Sequence, residues 1–359
     1  MKTTLTTLLL TFLTISVFGN DGTYLTRGGI IYPTKETKIA LEKEILSFTV
    51  RDKIAQVDIQ FEFYNPENEA RKLLIGFQAP SAVGDVSEQM NLKNQISNFI
   101  ILNEGQILTY QLKVAECEDC ELKDLKEFDF SDYEPYVMVY LFEMTFKPGI
   151  NKVNHSYSFS ASTNVDVDQF YNYILTTGAK WANGTIKDLT LQIDMGINKY
   201  FYVNDIFGQK ANWSIIGSGK VTNKKVNCID DETCKMIRVL SGKLQINIRD
   251  FNPIKNIEFG IFDENSFISR PTDYERINNG KVLGLDDFRL EGSYTNYELK
   301  LLRNTIYAQN GYAFKSKDLQ DYFSQFEWYI PNPNLTMEQI VLTENEKKFI
   351  EEILKLEKE

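Results

Sequence analysis

Residues 57–63, Val57-Asp58-Ile59-Gln60-Phe61-Glu62-Phe63, alternate apolar and polar side chains without a break. Successive side chains of a strand point to opposite faces. Such a run therefore buries Val57, Ile59, Phe61 and Phe63 and leaves the intervening positions wet, as a half-buried antiparallel strand does. A helix would scatter the same apolar residues around its circumference. Asn65-Pro66 ends the run, and shorter strand-like runs follow as far as Phe262. Residues 73–77 close at Pro80. Residues 99–102 and 107–114 flank Asn103-Glu104-Gly105-Gln106, a hairpin pattern in which Gly105 takes positive φ. The second arm is expected to place Leu108, Tyr110, Leu112 and Val114 on one face. Further strands are predicted at 137–146, 153–159, 171–176, 189–195, 200–203, 237–240, 244–248 and 257–261. Lys147-Pro148-Gly149 supplies a turn. Short strands at this spacing predict an antiparallel sandwich or barrel over residues 20–262.

The strand pattern stops near Ser269-Arg270-Pro271, and residues 263–290 read as a linker. Helix signals dominate residues 291–359. Thr295-Asn296-Tyr297-Glu298 and Thr343-Glu344-Asn345-Glu346 are capping boxes, in which the Thr hydroxyl serves one free N–H and the Glu reaches back to another. The first helix is expected to bury Leu299, Leu302 and Ile306 beside Tyr307, and to end at Gly311. A short second helix opens at Ser316-Lys317-Asp318 with Leu319, Tyr322 and Phe323 inward. A last one carries Phe349, Ile350, Ile353, Leu354 and Leu356 on one face. The chain is thus expected to be α+β as two domains, an antiparallel all-β sandwich-like domain followed by a small three-helix domain.

Lys2 and the Thr-diluted apolar stretch 5–18, ending at Gly19, read as a signal peptide over residues 1–19. The mature chain is expected to begin near Asn20 and to be exported, periplasmic or extracellular. No run reaches the roughly 20 apolar residues of a membrane span, so the chain is not expected to be membrane-spanning. A formal net charge of -11 works against nucleic acid and anionic lipid as partners, because neither attraction nor counterion release favours the contact.

Export governs how Cys117, Cys120, Cys228 and Cys234 read. An even count in an oxidising compartment favours disulfides, with the pairing left open. A zinc site built from the same thiolates is the alternative. Thiol exchange through Cys117 and Cys120 meets an electrostatic objection: Glu116, Glu118, Asp119 and Glu121 raise a thiol pKa that a catalytic cysteine needs lowered.

Two resemblances attach to these residues. The C-terminal part resembles the YARHG domain, an exported bacterial module. The likeness runs through Leu302-Arg303-Asn304, Ile306-Tyr307-Ala308, Gly311-Tyr312, Phe314-Lys315-Ser316, Leu319-Gln320, Tyr322-Phe323, Trp328-Tyr329 and Pro331, with Leu342 and Glu346 also fitting. The signature reads Tyr-Ala-Gln-Asn-Gly here, so Gln309 and Asn310 stand where the family carries Arg and His. That departure removes any role needing a cation or an imidazole at those places. The resemblance implies an accessory role at the cell envelope. The run from Tyr171 through Thr176-Thr177-Gly178 to Trp181 and Ile186 is similar to an uncharacterised family of exported bacterial β domains. Residues 20–51 and the Phe146-Lys147-Pro148-Gly149 turn are similar to it too. That family implies no activity.

Catalytic constellations are scarce. His155 is the sole histidine, sits in a predicted strand and has no nucleophile elbow beside it. Asp166 and Asp168 share one side if extended, roughly 6–7 Å apart at Cα, which suits a glycosidase pair or a Ca²⁺ ligand pair. Without a full Ca²⁺ loop they read as solvated surface, as do Asp230-Asp231 and Asp286-Asp287. No phosphate-cradling glycine fingerprint occurs. No catalytic residue, metal or cofactor is assigned. The sequence reads as a non-enzymatic envelope protein that binds a protein or cell-wall polymer, with Trp181, Tyr173, Gln309, Asn310 and Tyr312 as candidate contacts. The alternative is a carboxylate-based hydrolase, with or without Ca²⁺, acting on cell-wall glycan or peptide.

Overall fold

The computed structural model describes residues 27–29, 31–80, 96–116, 121–129, 136–163, 167–227, 233–262, 281–282, 290–291, 294–326 and 328–358. The strands in chain order are β1 (Arg27–Gly29), β2 (Tyr32–Pro33), β3 (Ala40–Arg51), β4 (Ile54–Asn65), β5 (Arg71–Pro80) and β6 (Ser97–Asn103). Next come β7 (Gln106–Ile107), β8 (Gln111–Ala115), β9 (Lys123–Asp124), β10 (Val137–Phe146), β11 (Gly149–Ser160) and β12 (Val167–Ile174). The remainder of the main sheets is β13 (Ile186–Asp194), β14 (Lys199–Asn204), β15 (Asn212–Asn227), β16 (Thr233–Phe251) and β17 (Ile257–Phe262).

Among the described residues a twelve-stranded sheet runs β1-β12-β17-β14-β16-β13-β3-β4-β11-β6-β7, with β15 also on β16. A five-stranded sheet runs β2-β5-β10-β8-β9. Pairing is mostly antiparallel; β1 with β12 and β3 with β13 are parallel. The alternating run 57–63 lies within β4, with Val57, Ile59, Phe61 and Phe63 at most 1 % exposed. They join a continuous apolar cluster with Phe77 and Tyr140 of the smaller sheet, so the core is the layer between the two sheets.

Three expectations change. The hairpin at Glu104-Gly105 forms, both residues at positive φ, but its second arm is only β7. The chain then crosses to the other sheet as β8, so Tyr110 is 45 % exposed while Val114 is buried. Residues 237–240 and 244–248 are one strand, β16, bent at Gly242 (φ +89°). Its partner β15 had no clear strand pattern in the sequence.

Among the described residues the α-helices are α1 (Asn296–Gln309), α2 (Lys317–Phe323) and α3 (Glu344–Leu356). Both capping boxes form, and each such cap contributes about 1 kcal/mol. Gly311 (φ +84°) ends α1 in a Schellman turn: Tyr312 N–H reaches Tyr307 O at 3.0 Å and Gly311 N–H reaches Ala308 O at 2.9 Å. Leu302, Ile306, Leu319, Phe323, Phe349 and Ile353 are buried, whereas Leu354 is 37 % exposed. These helices do not stand apart from the sheet. Their core includes Val167, Phe170, Tyr200, Tyr202 and Met236 from β12, β14 and β16. Within β14 the alternation splits cleanly: Phe201 and Val203 face the inter-sheet core, Tyr200 and Tyr202 the helices. The expected linker lies largely outside the described residues, which show within it a short pairing of Lys281–Val282 with Leu290–Glu291.

Candidate functional site

At one end of the large sheet the β3–β4 turn, the β13–β14 loop and the bend of β16 enclose a cleft of about 590 Å³. The β3–β4 hairpin closes through Asp52 and Lys53, both at positive φ (49° and 60°). A two-residue turn of this kind matches the twist of its strands. It carries Arg51 into a fork with Asp194, at 3.2 Å from Nη1 to Oδ1 and 3.0 Å from Nη2 to Oδ2. Gly196 N–H adds a bond to Asp194 Oδ1 at 2.9 Å, which fixes the start of the loop. Burial pushes the Asp194 carboxyl up, but the bonds from Arg51 and Gly196 outweigh it and leave the group below its ordinary value. Lys53, Lys199 and Gln169 complete the polar lining, and Val50, Met195 and Ile197 the apolar part. The cleft thus offers fixed charge of both signs beside an apolar wall.

Behind the cleft lies Arg238, 1 % exposed. Its Nη2 donates to Asn198 Oδ1 in the cleft loop and to the main-chain carbonyl of Gln309 at the end of α1. The last carbonyls of a helix have no intrahelical donor and attract a cation, so the guanidinium suits this place. Burial lowers its pKa to about 10, which leaves it charged at neutral pH. One buried cation therefore ties the cleft loop to the Tyr-Ala-Gln-Asn-Gly turn.

The residues singled out in the sequence lie elsewhere or inward. Trp181 is 2 % exposed, donates from Nε1 to Ile31 O at 3.0 Å, and packs on Phe63 with ring centroids 4.3 Å apart. It anchors a loop inside the core and is no surface rim. Tyr173 is fully buried, and its hydroxyl donates to Glu44 Oε1 at 3.2 Å. Asn310 Nδ2 caps Ile306 O at 2.9 Å, and Tyr312 O accepts from Tyr329 OH at 2.8 Å. Gln309, Asn310 and Tyr312 are half-buried. Asp166 lies outside the described residues; Asp168 falls within β12.

His155 is buried, with Nδ1 2.9 Å from Ile100 O. A carbonyl only accepts, so Nδ1 carries the proton, and Nε2 has no hydrogen-bond partner among the described residues. Burial holds its pKa down at about 4. Glu44, wholly buried, is pushed by desolvation to about 8, with the Tyr173 bond opposing. Glu44 Oε2 and Tyr157 OH also lack partners among the described residues. These groups sit in the core and open on no described cleft.

The expected disulfides do not show as a described pair: Cys117, Cys120 and Cys228 lie outside the described residues, which include Cys234 alone of the four cysteines. Cys234, on β16 beneath the helices, is buried and is not a free thiol. Strand pairing and the apolar layer between the sheets hold the described β region together. Among the described residues no group of three or more His, Cys, Asp or Glu is placed to hold a metal ion, and no helix is long and apolar enough to cross a membrane.

Sequence reasoning missed Arg51, Asp194, Lys199 and Arg238. Arg51-Asp52-Lys53 between two alternating runs was a turn signal; nothing local marks Asp194, 143 residues away, as its partner.

Residues 284–358 match the YARHG domain, so the chain carries that domain at its C-terminal end. No curated protein matches the chain. Among solved structures, a Legionella pneumophila protein provisionally named a nutrient binding protein is similar at 22 % identity. The match covers 94 % of this chain and 100 % of that one with a TM-score of 0.52, a likeness of fold.

Proposed function

We propose that this chain, a β sandwich backed by a YARHG domain, is an exported, non-catalytic binding protein of the cell envelope that holds a small charged solute or a peptide end in the sheet-end cleft. The observation that carries this reading is the fork of Arg51 on Asp194, which sets charge of both signs beside Lys199 at the mouth of a cleft large enough for a small molecule. The tie from Arg238 to Gln309 gives the YARHG domain a part in it, as a brace for the cleft loop. The name of the Legionella protein supports a binding role. Burial of His155 and Glu44 away from the cleft supports the absence of turnover.

The test is a thermal-shift and calorimetric screen of the leader-free protein against amino acids, dipeptides and phosphorylated solutes. At least one is expected to raise the unfolding midpoint, with Asp194→Asn and Lys199→Ala each weakening binding about tenfold, the cost of a charge-assisted contact. A screen without a hit, joined to hydrolysis of a cell-wall glycan or peptide by the same protein, would replace the reading with the hydrolase alternative.

A further inference from the structure

The helices cover the outer face of the large sheet over β12, β14 and the first part of β16. Among the described residues no helix covers the rest of that face, and register sorts its side chains into rows. One row crosses five strands as Arg249, Asp188, Lys43, Glu62 and Lys152, alternating in sign at every step. Opposite charges placed across strands stabilise and solubilise a wet sheet face. Two residues further along each strand the row becomes Asn247, Thr190, Ile45, Gln60 and Asn154. The row after that is Gln245, Gln192, Ser47, Asp58 and Ser156. Asp58 is the single charge in these two rows, in a chain that is 25 % charged. Apart from Asp58 and the Lys243 ammonium at the band's edge, charged and neutral side chains are segregated on this surface.

The neutral groups are held in place by one another and by Lys243, whose Nζ donates to Gln192 Oε1 at 2.6 Å from the edge of the band. Thr190 donates to Asn247 Oδ1 at 3.1 Å, Ser47 to Gln192 Oε1 at 3.3 Å, and Gln192 Nε2 to Gln245 Oε1 at 2.8 Å. These bonds occupy amide oxygens and leave the amide nitrogens of Gln245 and Asn247 as donors facing water. Gln60 and Asn154 are exposed. Ile45 lies within the band and Ile100, 41 % exposed, beside Ser156 at its edge. At about 4.8 Å per strand the band is roughly 20 Å wide.

We propose that this band binds a neutral, hydroxyl-rich polymer, a polysaccharide strand lying across β16, β13, β3, β4 and β11. Hydroxyl groups both donate and accept, which amide and hydroxyl side chains match and fixed charges do not. The C–H faces of sugar rings fit the interleaved isoleucines. The net charge of -11 turns acidic polymers away. Preset amides cut the ordering cost of binding. The inference stands apart from the cleft: small-solute binding and polymer retention succeed or fail separately.

The test mixes the leader-free protein with insoluble cellulose, chitin and cross-linked amylose, and with cross-linked polygalacturonate as the acidic arm. Retention on at least one neutral polymer is expected, lowered at least tenfold in the double variant Gln60→Arg, Asn154→Arg and unchanged in Val341→Ser on the helical side. Both altered positions are exposed, and an unchanged unfolding midpoint shows that the variant is folded. Hydrogen exchange with soluble oligomers of the retained polymer supplies a second readout on the unaltered chain, with added protection expected in β4 and β11. Failure on all three neutral polymers, retention on polygalacturonate alone, retention insensitive to the double variant, or no added protection would each overturn the proposal.

Discussion

Arg238 donates from Nη2 to the carbonyl of Gln309, 71 residues further along the chain, and the same nitrogen holds Asn198. A sheet residue thus terminates a helix. Arg238→Met keeps much of the buried stem but leaves both acceptors without their donor. Removing one partner of a buried charged contact is expected to cost about 2–4 kcal/mol. Arg238→Lys is expected to restore only part of this, since an ammonium lacks the guanidinium fork. Urea unfolding followed by Trp328 and Trp213 fluorescence in single-tryptophan backgrounds measures it; the helical probe is expected to lose stability first.

Burial sets two opposed pH dependences. Glu44, at about 8 when folded against 4.5 unfolded, keeps a proton that the unfolded chain has released, so stability falls as pH rises from 4.5 and levels above 8. His155, at about 4 folded against 6.5 unfolded, stays neutral where the unfolded chain is protonated, so stability falls as pH drops from 6.5 and levels below 4. The slopes cancel between 4.5 and 6.5, leaving a plateau with a fall on the alkaline side from Glu44 alone. Glu44→Gln is expected to abolish that fall. The pH-dependent part of the wild-type-minus-variant difference should approach roughly 5 kcal/mol by pH 8, measured by urea titration at several pH values.

Trp181→Ala is expected to cost about 3–5 kcal/mol, as deletion of a buried ring does. Trp181→Phe retains ring contact with Phe63 and Phe146 and loses the bond to Ile31 O, a cost of about 1 kcal/mol. Ligand binding by the folded Phe variant is expected to match wild type. A selective loss of binding would return this residue to the list of contacts.

Gly242→Ala tests the bend of β16. A Cβ there would lie 1.9 Å from Ile216 O, with φ at +89°. Backbone must shift to admit it, and a loss of about 2 kcal/mol or more is expected in thermal unfolding.

The parts of the fold that were legible are those dictated locally. Strict alternation marked β4 because one face is buried and the other wet; Thr-x-x-Glu marked the starts of α1 and α3 because backbone N–H groups need acceptors. Strand β15 was missed because Gly217 and Gly219 interrupt its pattern, and both glycines serve close approach to β16 rather than any preference of their own segment. The second arm of the hairpin was over-extended because its apolar alternation persists while the chain changes sheets. Tyr173 and Trp181 drew attention as aromatics near glycines, yet each has its polar atom satisfied indoors. The cleft is a meeting of Arg51 and Asp194 across 143 residues, and no window of sequence contains both.

The bend in β16 also keeps two surfaces in phase. Ile237 and Val239 face the core before Gly242; Leu244, Ile246 and Ile248 face it afterwards, so parity changes sides at the bend. Outward, the same strand presents Met236 and Arg238 to the helices and then Gln245 and Asn247 to solvent. A single residue inserted or deleted between 239 and 244 would invert one half relative to the other, turning either the helix-bearing side or the amide rows into the sandwich. Length variation in this protein is therefore expected to avoid those few positions, even where the side chains themselves are free to change.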